Sequence, residues 1–368
     1  MSQSPGLLLT LLAFALVIGP LVFVHEMGHY LVGRWFGIGA DVFSIGFGRE
    51  IVGWTDRRGT RWKLSVLPLG GYVRFAGDMN PASQPSADWL ALPAAERART
   101  FQAKPVWQRA LVVAAGPAVN FVAAVLILGG FAMAYGVDAT PPVVGAVVAG
   151  SPAARAGLKA EDRIAALDGR SMATFSDLAD YARLRPDTPV ELDVVRAGRE
   201  LRVPLTIGVT RETDRFGNVY RLGLLGIVRG PAAYARVGLA QAPWAGVKAT
   251  AQQLRSMVDG LGQIVTGRRS LDDLGGPVKI ARLSGEGLAI GPGTLLLLIA
   301  LVSINLGFIN LLPIPMLDGG HLFFYALEAV RRRPVAPAVQ EWAFRGGLAA
   351  LLALMLMLTF NDLIHLGR

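Results

Sequence analysis

Two histidines and a glutamate stand together in VHEMGHYLVG, residues 24–33. His25 and His29 are four apart, so on a helix they share one face, with Glu26 a step round it. Two imidazoles at that spacing beside a carboxylate can hold a zinc ion and supply a base for attack by water. The chain has four histidines, and two of them fill this pattern. It has no cysteine, so any zinc must take His, Asp or Glu ligands. A catalytic zinc wants three protein ligands and one open position. The third has to come from elsewhere. The histidines left are His321 and His365, and the richest alternative is NLLPIPMLDGGHL, residues 310–322. There Asp318 precedes Gly319 and Gly320. Asp318 also suits the N-cap of a helix beginning near Gly319, a role compatible with ligation because a carboxylate has two oxygens. His321 is the second candidate ligand.

The elements that must position these residues belong in lipid. The chain of 368 residues is 52% hydrophobic and only 17% charged, against about 25% charged in soluble domains. A net charge of +9 raises nucleic acid as a partner. Arginines beside membrane spans explain it better, and no nucleic-acid partner is expected. Four stretches approach the roughly 20 apolar residues that a spanning helix needs: Gly6 to Val24 continuing toward Trp35, Ala110 to Tyr135, Thr294 to Leu312, and Ala343 to Phe360. The first lacks the basic start and small-residue cleavage site of a signal peptide, so it reads as a retained span. His25, Glu26 and His29 lie at its end, and ionisable groups inside spans are costly and functional by default. Pro313 and Pro315 keep the third span from continuing as a helix. Irregular backbone at that depth is tolerated only against protein or a wet cavity.

Charge in the short connections sets the orientation. The first carries arginines from Arg34 to Arg109 and the third carries Arg331, Arg332 and Arg333, so both face the cytoplasm. Both termini and the long connection 136–293 are then expected outside. Within the first connection, 41–77 reads as a membrane-associated hairpin-like sheet with a turn at Asp56–Gly59. Its exposed edge could pair with an unwound substrate as an added strand. Farther on, Val247, Ala251, Leu254, Val258, Leu261 and Val265 make one apolar helical face. That helix is expected on the membrane surface, on the outer module or in ordinary core packing. The glycine-rich stretch 275–287 reads as a docking loop beside span three.

Within the long connection, a strand at 143–148 precedes SPAARAGLKAEDRI, a turn at Asp168–Gly169, a helix near 174–184, strands at 189–195 and 200–207, and a strand at 219–228. This order, with SPAARAGL, EDRI and LDG, resembles a bacterial PDZ domain over about 141–229. Such domains capture a peptide carboxyl end by backbone N–H groups in a loop. The resemblance places that loop at Leu224, Leu225, Gly226 and Ile227.

HExxH in the first span, Gly116-Pro117-Ala118-Val119-Asn120 in the second, and NxxPxPxLDG closing the third occur together. The chain resembles the site-2 protease family of intramembrane zinc metalloproteases, peptidase family M50. The closer likeness is to the bacterial regulator of sigma-E protease group, whose GFG (46–48) and LPLGGYVRFAG (67–77) are also present. Better-known members carry two tandem PDZ domains, and here one is found. The resemblance implies zinc held by His25, His29 and Asp318, with Glu26 as general base to a zinc-activated water. It implies that Asn310, Asn120, Gly46 and Gly48 hold substrate or organise the site. The expected substrates are single-span membrane proteins such as an anti-sigma factor, or signal-peptide remnants. The expected location is the inner membrane, with the active site near the cytoplasmic side. Other readings are a PDZ-bearing scaffold with an inactive metal site and, less favoured, a transporter. The expected fold is a polytopic α-helical membrane protein with a β-hairpin sheet and one extracytoplasmic PDZ domain. Its segments are 1–140, 141–229, 230–292 and 293–368.

Overall fold

A computed structural model describes residues 6–77, 92–213, 219–266 and 276–364; His365 lies outside them. The principal elements in chain order are α1 (Leu7–Trp35), β1 (Ala40–Thr55), β2 (Arg61–Phe75), α2 (Val106–Tyr135), β3 (Val144–Val147), β4 (Arg163–Leu167), α3 (Phe175–Arg183), β5 (Pro189–Arg196), β6 (Arg199–Thr206), β7 (Gly208–Thr213) and β8 (Val219–Leu224). They continue with β9 (Ile227–Arg229), α4 (Ala242–Val265), α5 (Pro277–Ile290), α6 (Pro292–Leu311), α7 (Asp318–Arg331) and α8 (Pro337–Ile364). Two compact units emerge, one from the described residues of 6–128 and 276–362, the other chiefly from those of 129–266.

In the first unit, α1, α2, α6 and Ala338–Phe360 of α8 are long and apolar enough to cross a membrane. The chain is an integral membrane protein. Helices α1 and α2 meet at small residues: a Cβ on Gly28 would lie 2.6 Å from the Ala115 carbonyl oxygen. Small residues let helix backbones approach this closely.

Strands β1 and β2 pair, and each bends into two segments, with 42–45 antiparallel to 71–74 but running in the same direction as 61–64. Residues 42–45 lie opposite both 71–74 and 61–64, while 52–55 lie opposite 61–64. The segments are therefore ordered 50–55, 61–65, 40–45, 71–75, with 71–75 at an edge. The expected turn is present: Asp56 accepts from the N–H groups of Arg58 and Thr60 at 2.8 and 3.0 Å, and Gly59 has φ +86°. Phe43, Val73 and Phe75 of the sheet pack with Tyr30 of α1, Val112 and Val113 of α2 and Tyr325 of α7 in one core.

The stretch expected as a docking loop at 275–287 is helical from Pro277 and packs against α1 and α6. Its Ser284, Gly285 and Gly287 are buried. Small residues here smooth a helix face for close packing instead of freeing a loop. The Asp362 carboxylate of α8 receives the Gly276 and Lys279 N–H groups at 3.3 and 3.0 Å, which satisfies two donors at the start of α5.

The second unit has its own core, including Ile164, Leu167, Leu178, Leu192 and Ile207. Ser151 caps a single turn beginning at Pro152. Thr174 and Asp177 form a reciprocal capping box at the start of α3. The expected strand at 219–228 is divided. Gly226, at φ +79°, turns the chain so that β8 pairs with β7 while β9 crosses to β3. Helix α4 confirms the periodicity read at 244–266, but its polar side makes the docking contacts. Gln252 donates to Asp177 at 3.2 Å, Arg185 pairs with Asp259 at 3.0 Å, and Gln263 donates to the Leu184 carbonyl. Val247, Val258, Leu261 and Val265 remain exposed, so this stripe is not core packing. The expected segment 230–292 thus divides between the units.

Candidate active site

His25 and His29 sit on the last third of α1, both buried, with Glu26 buried between them. At 1.5 Å per residue His25 stands about 27 Å along α1 from Leu7. Helix α2 forms the floor beneath the imidazoles. A Cβ on Gly116 would collide with the His29 ring and lie 2.9 Å from His25 Cε1. Glycine is what admits both rings against this helix.

The same helix fixes the rings. His29 Nδ1 lies 2.9 Å from the Val112 carbonyl. A carbonyl can only accept, so Nδ1 carries the proton and Nε2 presents its lone pair. His25 Nδ1 meets the Asn120 amide at 3.1 Å, and Asn120 is fully buried. A half-turn of that amide exchanges its nitrogen for Oδ1, which has no other partner. Oδ1 then accepts from Nδ1–H and leaves His25 Nε2 for a metal.

Asp318 arrives from the irregular segment after α6. Helix α6 ends at Leu311, Met316 takes φ +81°, and α7 begins at Asp318. A Cβ on Gly319 or Gly320 would strike the carbonyls of 311–314, so the two glycines let the segment fold tightly over the start of α7. The N-cap is Leu317, without a side-chain cap. The N-cap role considered for Asp318 is therefore absent, and its carboxylate turns to the histidines. Oδ2 lies 3.2 Å from His25 Nε2 and Oδ1 3.5 Å from His29 Nε2; the two Nε2 atoms are 3.3 Å apart. Oδ2 is buried without a hydrogen-bond partner.

These separations test the fit to zinc. Ligand distances of about 2.05 Å in a tetrahedron require edges of about 3.3 Å. The Nε2–Nε2 separation and that of His25 Nε2 from Oδ2 match this value, and His29 Nε2 lies 3.5 Å from the other carboxylate oxygen, Oδ1. The donors are two neutral nitrogens and one carboxylate oxygen, and one vertex is left open. The residues fit the ion.

A cavity of about 240 Å³ opens on this cluster. Glu26, Phe47, Tyr72, Asn310 and His321 are among its walls. Glu26 borders the sheet edge: a Cβ on Gly71 would lie 3.0 Å from Glu26 Cγ. Asn310 faces the cavity while its amide donates to the Leu306 carbonyl at 3.0 Å. His321 packs on Phe344 at 4.9 Å between ring centroids and stands outside the ligand group. Gly46 and Gly48 take left-handed φ of +86° and +87° on either side of Phe47. They shape the strand, and Phe47 is the residue that reaches the cavity. The Val112 carbonyl had no motif to announce it, and the motif at 67–77 did not say that its 71–75 part would lie beside Glu26. Gly116 belongs to a recognised motif, but its contact with the imidazoles is a tertiary fact.

In the second unit, Leu224 to Ile227 form one end of a groove of about 200 Å³. Leu178, Ala179 and Ala182 of α3 line it together with Leu225 and Ile227. Leu225 is buried and Leu224 is 46% exposed at the groove mouth.

Comparison with known proteins agrees with this chemistry. Residues 13–354 match peptidase family M50. A relative in Agrobacterium fabrum, assigned by inference as a zinc metalloprotease, is 46% identical over 96% of this chain and 95% of its own. Another so assigned, in Rhizobium meliloti, is 42% identical over 96% of each. The metalloprotease MmpA of Caulobacter vibrioides is 37% identical over 97% of this chain and 96% of its own. The chain belongs to peptidase family M50 and is a zinc-dependent metalloprotease of the membrane.

Proposed function

We propose that this enzyme is a site-2-type intramembrane protease that cuts the transmembrane segments of single-span proteins, with His25, His29 and Asp318 as zinc ligands and Glu26 as general base. The observation that carries the reading is the buried grouping of two imidazole Nε2 atoms from a membrane-spanning helix with the Asp318 carboxylate, at separations of 3.2, 3.3 and 3.5 Å. A bound zinc supplies a Lewis acid and lowers the pKa of a water toward about 7. Glu26 takes the proton as water attacks the peptide carbonyl and passes it to the departing amine. Val112 and Asn120 hold the ligand imidazoles in the tautomer this requires. Asn310 offers an amide from the cavity wall to the substrate backbone or the developing oxyanion.

A helix in lipid already has its carbonyls hydrogen-bonded, so it must unwind before attack. The edge 71–75 supports a way to hold it unwound. An extended substrate adds to this edge as a further strand and lies past Glu26. The other end of the sheet exposes Ile51, Val52, Trp54, Val66 and Leu67, which suits a sheet dipping into the bilayer. The 129–266 unit acts as a PDZ domain outside the cytoplasm. Its groove takes a peptide end or screens substrates, and both termini lie on the same side. Anti-sigma factors and signal-peptide remnants in a bacterial inner membrane are the substrate classes favoured by the family likeness.

The test uses the full chain in liposomes with a single-span substrate. Wild type should cleave it, and Glu26→Gln should keep zinc and lose activity by at least about 100-fold. Cleavage persisting in that variant would overturn the role of Glu26.

A further inference from the structure

Arg109 reads in the sequence as one of many cytoplasmic arginines that orient the spans. The fold gives it a different setting. It lies in the first turns of α2, its side chain only 12% exposed, and donates from Nη2 to Glu328 of α7 at 2.6 Å. Glu328 is 17% exposed. The guanidinium also lies over the Tyr325 ring, 4.9 Å from its centroid, and its Nε–H donates to the Lys104 carbonyl at 3.1 Å.

Two helical stripes meet here. Asp318, His321, Tyr325 and Glu328 recur at spacings of three, four and three on α7, which puts them on one face. Arg109, Val112, Gly116 and Asn120 recur at three, four and four on α2. The α2 stripe already governs the histidine half of the site, by orienting His29, admitting both rings and holding His25. Its first member grips the far end of the helix whose first residue is Asp318. The ligands come from two bodies, α1 and α7, and α2 registers both.

We propose that Arg109 and Glu328 are positioning residues that set the register of α7 against α2, and thereby place the Asp318 carboxylate on the two imidazoles. The proposal rests on Asp318 being the third ligand. The irregular segment between α6 and α7 seats the start of α7 at Gly319 and Gly320, and the Arg109–Glu328 pair holds its far end. A guanidinium held by one carboxylate and one ring, a helical turn apart, fixes both rotation and rise. Lysine keeps the charge but lacks the planar fork, so Arg109→Lys should only partly replace it.

The test measures zinc release to a chelator, thermal stability and cleavage on the purified full chain. The variants are Glu328→Gln, Arg109→Gln, Arg109→Lys, the exchange Arg109→Glu with Glu328→Arg, and Asp318→Asn. The single neutral variants should release zinc about 10- to 100-fold faster than wild type, the range for losing a group that orients a ligand. The exchange should recover part of that loss, and Arg109→Lys should fall between. Faster melting with wild-type zinc release in the folded fraction of Glu328→Gln and Arg109→Gln would make the pair merely structural and overturn the proposal. Should the exchange fail to fold, those two neutral variants decide. If Asp318→Asn itself holds zinc as wild type does, the ligand assignment fails instead, an outcome distinct from failure of the clamp.

Discussion

The metal cluster and the groove of the 129–266 unit are both clefts beside a helix, built by opposite means. The cluster gathers two imidazoles and two carboxylates, all buried or nearly so, where burial penalises every unpaired charge. The groove gathers leucines, alanines and an isoleucine, with the exposed Arg183–Glu212 pair also in its lining. The difference lies in tolerance. The groove can trade one apolar side chain for another at small cost. The cluster depends on contacts with no slack: a carbonyl 2.9 Å from a ring nitrogen, and a glycine where any Cβ would collide.

Gly116→Ala should therefore break the cluster and leave the groove alone. The added methyl meets both imidazoles, and a displacement near 1 Å in such a site costs about 100-fold in rate. Zinc content and cleavage should fall together, while binding of a labelled peptide in the groove stays at the wild-type level. Loss of both would show that the two regions are not independent. A smaller effect is expected for Asn120→Ala, which leaves the His25 tautomer unsupported. Its zinc affinity should drop about 10- to 100-fold by competition with a chelator, and an unchanged affinity would remove Asn120 from the site.

Gly226→Val reverses the comparison. At φ +79° a side chain is strained, and here it would also strike Ser151. The strain alone costs about 1–2 kcal/mol. Peptide capture should weaken severalfold, with zinc content and intrinsic cleavage of a short substrate unchanged. The smallest effect concerns acid. Asp162 is buried beside Arg196, with bonds of 2.7 and 2.8 Å. Those bonds hold its carboxyl below the usual range. A depressed folded-state pKa gives stability that is complete above the unfolded value near 3.9 and lost as pH falls through the folded value. Melting of the chain followed below about pH 4 should show this loss, and Arg196→Gln should flatten it. An acid limb unchanged in that variant would assign it to other carboxylates.

Much of the cluster was legible because its chemistry is local. HEMGH brings two imidazoles and a carboxylate together through helical periodicity alone, and LDG with two prolines marks an interruption where a further carboxylate can enter. What stayed hidden is what helices do to one another. Nothing in the sequence says that the Val112 carbonyl meets His29, that 71–75 becomes the edge beside Glu26, or that Arg109 is buried on Glu328. The groove unit was legible in the turn at Asp168–Gly169 and in the helix near 174–184. It failed at Gly226, where apolar residues on both sides of a left-handed turn read as one strand. The 275–287 error has the same origin, since small residues serve loops and close helix packing alike.

The central claim is that three side chains from two helices hold one zinc ion. Zinc-edge X-ray absorption on the wild type, with zinc content of Asp318→Asn and His321→Ala, tests it most directly. The account predicts two imidazole nitrogens and carboxylate oxygen around the zinc, near-complete loss of zinc in Asp318→Asn, and a full equivalent retained in His321→Ala. Three imidazoles at the metal, with zinc lost from His321→Ala and kept by Asp318→Asn, would contradict it.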